Sequence, residues 1–134
     1  MISEGLFSHL SAAGGVTNLV GKRIYPLVVP QHVAGEVAKM PCVVYARVDV
    51  RRQQKFCGTD GLVRSVFQLD SYATTYHESI TLAAAVRAAL VDYAGTMGTV
   101  PVQKVFLDYQ DELTEPDPGL YRVMQRFILW HDEP

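Results

Sequence analysis

The sequence predicts an α+β fold. It calls for a mainly antiparallel sheet of about four to five strands, a long helix and an N-terminal helix packed on one face, and projecting hairpins. Three observations carry that expectation. Two β-branched runs, Pro41–Val50 and Gly61–Tyr72, flank an Asp-Gly dipeptide of the kind favoured at tight hairpin turns. A capped apolar stripe runs from Tyr76 to Ala94, the pattern of an amphipathic helix. A turn over Glu115–Gly119 separates two further strand-like runs. At 134 residues the chain suits one domain, 1–134, with about 7,000 Å² of folded surface.

The elements follow in order. Ser3 can cap a helix over Ile2–Ala13 in which Leu6, Phe7 and Leu10 share a face, and Gly14-Gly15 ends it. A short helical turn over Val16–Val20 closes at Gly21. Ile24–Pro30 reads as extended, and its two prolines confine it to an edge strand or a strap across the sheet. Gln31–Lys39 is a polar loop. The two β-branched runs make one long antiparallel hairpin, with its turn over Cys57–Gly61. Thr75 and Glu78 have the spacing of a capping box. Leu82, Val86, Ala89, Leu90 and Tyr93 form the stripe of that helix, and Gly95 stops it. After a turn over Thr96–Pro101 comes a strand from Val102 to Tyr109. The last strand, from Leu120 to about Trp130, is apolar on both faces and so is expected to be central or covered on both sides.

Composition narrows the function classes. Twelve basic and fourteen acidic residues give a net charge of −2, whereas a dedicated nucleic-acid binder carries a basic excess. Charged residues are only 19% of the chain, below the usual quarter, as in a protein with surface reserved for another protein. No run of 18 apolar residues is present to span a bilayer, and the N-terminal segment lacks the basic start of a secretory signal. Cys42 and Cys57 are not in a CxxC arrangement and read as reduced thiols in a cytosolic setting.

No catalytic constellation is legible. Gly15–Gly21 followed by Lys22 imitates a phosphate loop, but five residues separate the glycines and Arg23 stands where the Mg²⁺-binding hydroxyl belongs. His9, His32, His77 and His131 are too far apart for a ligand pair. Neither cysteine has an adjacent base. The expectation is therefore no catalytic, metal or cofactor residue.

Charge layout is more informative. Between Arg47 and Arg64, the residues Arg47, Arg51, Arg52, Lys55 and Arg64 stand against Asp49 and Asp60, a net +3. Asp108, Asp111, Glu112, Glu115 and Asp117 form a segment of −5 with no base. One hairpin is thus basic and the other acidic. Copies meeting head to tail can match them, and such a heterologous contact closes into a ring when the rotation allows. The candidate subunit or tube contacts are Arg47, Arg51, Arg52, Lys55 and Asp60 on one hairpin, with Asp108, Asp111, Glu112, Glu115 and Asp117 on the other. Two solvated loops, a small enzyme using the acidic cluster, and a nucleic-acid module using the basic hairpin are the alternatives.

Five ordered blocks carry a resemblance. They are EGLFSHLSA at 4–12, GKRIYPLVVPQ at 21–31, PCVVYARV at 41–48, FQLDSYATTYHES with LAAAVRAAL across 67–90, and PDPGLYRVMQRFILWH at 116–131. Together they resemble the tail-completion, or tail-terminator, proteins of long-tailed bacteriophages and prophages. The resemblance implies a structural virion protein of the tail or neck, assembled in the host cytoplasm, and no enzyme. It implies a homo-oligomeric ring, typically a hexamer, that caps the tail tube protein, stops polymerisation and offers a docking surface to the head connector. DNA would pass through unread. A head-side neck protein in the same setting is the nearest alternative.

Overall fold

The computed structural model describes residues 2–27, 41–55, 58–115 and 120–132; the side chains at 53–55, 58–60, 115 and 120 lie outside that description. Among the described residues three helices and six strands follow one another. They are α1 (Ile2–Ala12), α2 (Gly14–Val20), β1 (Ile24–Pro26), β2 (Cys42–Lys55), β3 (Gly58–Ala73), α3 (Tyr76–Leu90), β4 (Gly95–Met97), β5 (Val100–Glu115) and β6 (Leu120–Asp132). Strand residues outnumber helical ones by about two to one.

This overturns the expected fold class. Among the described residues the molecule is mostly sheet, a six-stranded mixed sheet curled into a half-barrel, with three short helices and no long one. The sheet order is β1-β2-β3-β6-β5-β4. β1 runs parallel to β2 and every other pair is antiparallel.

Specific residues explain the differences. α3 stops at Leu90 because Val91 turns extended and Asp92 enters positive φ at 63°. The Asp92 N–H then donates to the Val105 carbonyl at 3.0 Å. That bond sends the chain back along β5, so the segment expected to be a turn begins with strand β4. The Asp-Gly dipeptide is not the hairpin tip: Lys55 pairs with Gly58 and Gln54 with Thr59, which puts Asp60-Gly61 inside β3. Gly61 takes φ +81° there, where the register slips between Arg52 and Gln54 and a residue without Cβ is needed.

Other expectations hold. The Thr75 hydroxyl caps α3 by accepting from the Glu78 N–H at 3.2 Å. Gly21 ends α2 at φ +61°, its N–H donating to the Thr17 carbonyl. Ile24–Pro26 is an edge strand, Leu27 after it takes φ +67° with its N–H donating to the Tyr45 carbonyl, and 28–30 with the following loop lie outside the described residues. β6 is central, flanked by β3 and β5. Its ladder with β3 runs from Leu62–Asp132 to Ala73–Tyr121 without a register shift.

The helices cover one face of the sheet. Leu6 and Leu10 of α1, Val16 and Val20 of α2, and Leu82, Val86 and Leu90 of α3 pack with Phe67, Leu69, Phe127 and Leu129 of the central strands. Phe67 and Phe127 face each other across the ladder and are fully buried. Each such side chain contributes about 1.5–3 kcal/mol through burial. The opposite face carries Arg64, Arg126, Tyr109 and Phe106 and has no helix over it among the described residues.

Candidate functional site

Register places the two hairpins at opposite ends of the sheet. β3 begins at Gly58, paired with Lys55, and enters the ladder with β6 opposite Asp132; it ends at Ala73 opposite Tyr121, one residue from the start of β6. Eleven residue steps lie between those rungs, about 36 Å at strand rise. The far ends of the two hairpins therefore lie apart along the strand axis, while Asp108, in mid-strand, lies beside the basic side chains.

The basic hairpin is partly self-paired. Arg51 Nε lies 3.2 Å from Asp49 Oδ2 and Arg64 Nη1 lies 3.5 Å from the same oxygen. Both sides of the Arg51 pair are well exposed, so the pair contributes little to stability. Arg52 is exposed. Arg47 turns inward and donates from Nη2 to Ser65 Oγ at 2.9 Å. Lys55 closes β2 and Asp60 lies in β3, with side chains outside the described set.

The acidic segment divides in three. Asp108 sits in mid-strand and shares a hollow of about 340 Å³ with Val48, Asp49, Arg51, Arg64 and Arg126, so the fold brings it to the basic side chains. Asp111 accepts from the Tyr109 hydroxyl at 3.3 Å and from the Glu112 N–H at 2.8 Å. Glu112 faces the helices and accepts from the Tyr76 hydroxyl at 2.6 Å. That bond to the carboxylate raises the Tyr76 pKa above its ordinary value. Glu115 ends β5, with its side chain outside the described set, and Asp117 lies outside the described residues altogether.

Polar groups that spacing did not single out are built into the sheet. Asp70 pairs with Arg122 at 3.1 Å and takes a bond from Gln68 Nε2 at 3.2 Å. Ser65 Oγ meets His131 Nε2 at 2.7 Å, and both residues are buried. Gln125, also buried, donates from Nε2 to the Ala83 carbonyl at 3.2 Å and to Gln110 Oε1 at 3.0 Å. The available signal is their phase: Ser65 falls between Val63 and Phe67 on the inward side of β3, and His131 and Gln125 share the inward side of β6 with Phe127. No group of three or more His, Cys, Asp or Glu side chains among the described residues could hold a metal ion. No described helix is long and apolar enough to cross a membrane.

The comparisons give the class first. A chain in the solved structure titled "Virion of native gene transfer agent (GTA) particle" has the same fold, with a TM-score of 0.74 at 20% identity, covering 95% of this chain and 91% of that one. No curated protein sequence matches. The family model described as tail completion protein gp17 matches residues 4–132, and the chain belongs to that family. It is a structural phage tail or neck protein and a virion component.

Proposed function

We propose that copies of this chain form a ring, a hexamer by the family resemblance, that caps the tail tube, ends its polymerisation and presents the docking surface for the head connector. DNA passes through the bore without being read. The observation that supports this reading most directly is the separation of the two charged hairpins to opposite ends of one sheet. A head-to-tail ring needs two unlike, complementary surfaces on each subunit, and a terminator needs one face that fits the tube and another that does not repeat it. Arg51, Arg52, Lys55 and Asp60 belong to the first surface; Asp111, Glu112, Glu115 and Asp117 belong to the second. Arg47 and Asp108 support the first hairpin from within and beneath. Two contacts of about 800 Å² each would cover about a fifth of the 7749 Å² that the chain exposes.

Electron microscopy of particles assembled without this protein tests the proposal. Overlong or headless tails are the expected result. Normal joined particles would overturn it, and tails of ordinary length with portal-bearing heads left unsealed would move the protein to the head side.

A further inference from the structure

We propose that neighbouring copies join edge to edge, with β5 of one laid antiparallel along β2 of the next and Arg51 opposite Asp111. This rests on the ring reading and adds the seam that makes the ring.

The first observation is the incompleteness of the edge strands. β1 lies alongside β2 only at 43–45, and β4 lies alongside β5 only at 100–102. Among the described residues no strand flanks β2 around 48–51 or β5 over 106–114 on the outer side, the Val105 carbonyl being taken by the Asp92 N–H. Such edges present a row of backbone donors and acceptors for another chain.

Direction comes next. β2, β3, β6 and β5 alternate strictly, so β2 and β5 are themselves antiparallel. Copies related by rotation about a ring axis keep that alternation across the seam, and the new pair is antiparallel, the more stable kind.

Register follows from bulges and charge. Irregularities fall in β2 between Arg47 and Asp49 and between Arg52 and Gln54, and in β5 between Val102 and Lys104 and between Leu107 and Tyr109. The unbroken stretches are 49–52 and 109–115. Within one subunit a rung runs from Arg51 through Arg64 and Trp130 to Lys104, so an unshifted seam would set Arg51 against Lys104, whose partner Asp92 is already engaged at 3.1 Å. A shift of seven residues along β5, on the order of 23 Å, brings Arg51 to Asp111 on the helix-free face. The stretches of β2 and β5 flanked by β1 and β4 then fall beyond the ends of the opposing strand, so neither short strand obstructs the seam. A stagger of this kind is what closing a sheet into a barrel requires. Arg51 gives up only its exposed contact with Asp49.

The test uses the full chain with Cys57→Ser, carrying either Arg51→Cys with Asp111→Cys or Arg51→Cys with Lys104→Cys. It is assembled in solution and on purified tail tubes and then oxidised. Directly opposed antiparallel positions lie within disulfide reach, and Cys42 is buried. The 51/111 pair is expected to give a ladder of covalent multimers and the 51/104 pair at least tenfold less. In parallel, Arg51→Asp alone should lower assembly at least tenfold, and adding Asp111→Arg should restore it. No 51/111 ladder in material whose mass shows several copies, or charge reversal without effect on that mass, overturns the seam and leaves the ring standing. Unmodified protein that stays a single copy both free and on tubes overturns the ring and the seam together.

Discussion

Ser65 Oγ lies 2.7 Å from His131 Nε2, joining the two central strands from inside the core. The His131 Nδ1 is 3.2 Å from the Asp132 carbonyl, which can only accept. In the neutral ring the proton therefore sits on Nδ1, and Nε2 accepts from the Ser65 hydroxyl. Ser65 in turn accepts from Arg47 at 2.9 Å, so one relay ties β2, β3 and β6 at the root of the basic hairpin. The distance is that of a nucleophile and its base, but Ser65 is 0% and His131 1% exposed, and no substrate reaches a group sealed to that degree. Ser65→Ala removes the link and takes a hydrogen-bond donor from a buried ring nitrogen. It should cost about 1–3 kcal/mol in urea unfolding, with any assembly defect following that loss of stability.

Gly5 and Gly15 should respond in opposite directions. A Cβ on Gly5 would overlap the Met97 carbonyl oxygen where α1 packs on β4, whereas a Cβ on Gly15 meets nothing within 4 Å. Gly5→Ala forces backbone apart and is expected to destabilise the chain by about 1–3 kcal/mol. Gly15→Ala in α2 should stabilise it by about 0.5–1 kcal/mol. Thermal melts of the two variants beside the parent decide both.

Burial pushes the Cys42 thiol up to about 11, with Arg23 opposing. The unfolded thiol ionises near its ordinary value while the folded one holds its proton, so the native state binds more protons in between. This contribution to stability is complete below about pH 8.5 and is lost as pH rises to about 11. The expected slope is at most about 1.4 kcal/mol per pH unit. Unfolding of the parent and of Cys42→Ala, measured across that range, should differ in slope. A thiol reagent at neutral pH should reach Cys42 only after denaturation.

The capping bond of α3 gives a smaller effect. Thr75→Ala removes the acceptor for the Glu78 N–H and should cost about 1 kcal/mol, while Thr75→Ser should keep most of it. Denaturant midpoints of the three proteins are the measurement.

What was legible in the sequence was local. Thr75-x-x-Glu78 named its cap, Gly21 its helix stop, and the two-sided apolar run after Leu120 its central place, because each signal lies within one element. The sheet's extent was not legible, because it depends on partners far along the chain. Gly95–Met97 is a strand only because Val100–Val102 lies beside it, and Ile24–Pro26 pairs with residues 43–45 across a long intervening segment. Asp60-Gly61 misled because the same dipeptide serves a tip turn or a bulge, and the pairing of Gln54 with Thr59 selected the bulge. Charge counting found two segments of opposite sign but not their internal ties: Arg47 to Ser65, Glu112 to Tyr76, and Asp108 beside Arg51. Those ties follow from which face of a strand each side chain occupies, and two register shifts in β2 and two in β5 reset that face.

β6, which follows the other described strands in the chain, stands in the middle of the sheet, with β3 on one side and β5 on the other. Until Leu120–Asp132 has left the ribosome, β3 and β5 lack the strand that pairs with both of them, and the helices alone bridge the two sides of an open interior. Native structure is thus withheld until synthesis has passed β6, since long-range strand pairing completes late. A chain cut short before Leu120 lacks the strand that joins the two halves of the sheet, so premature termination should leave an unfolded product and no defective but folded one.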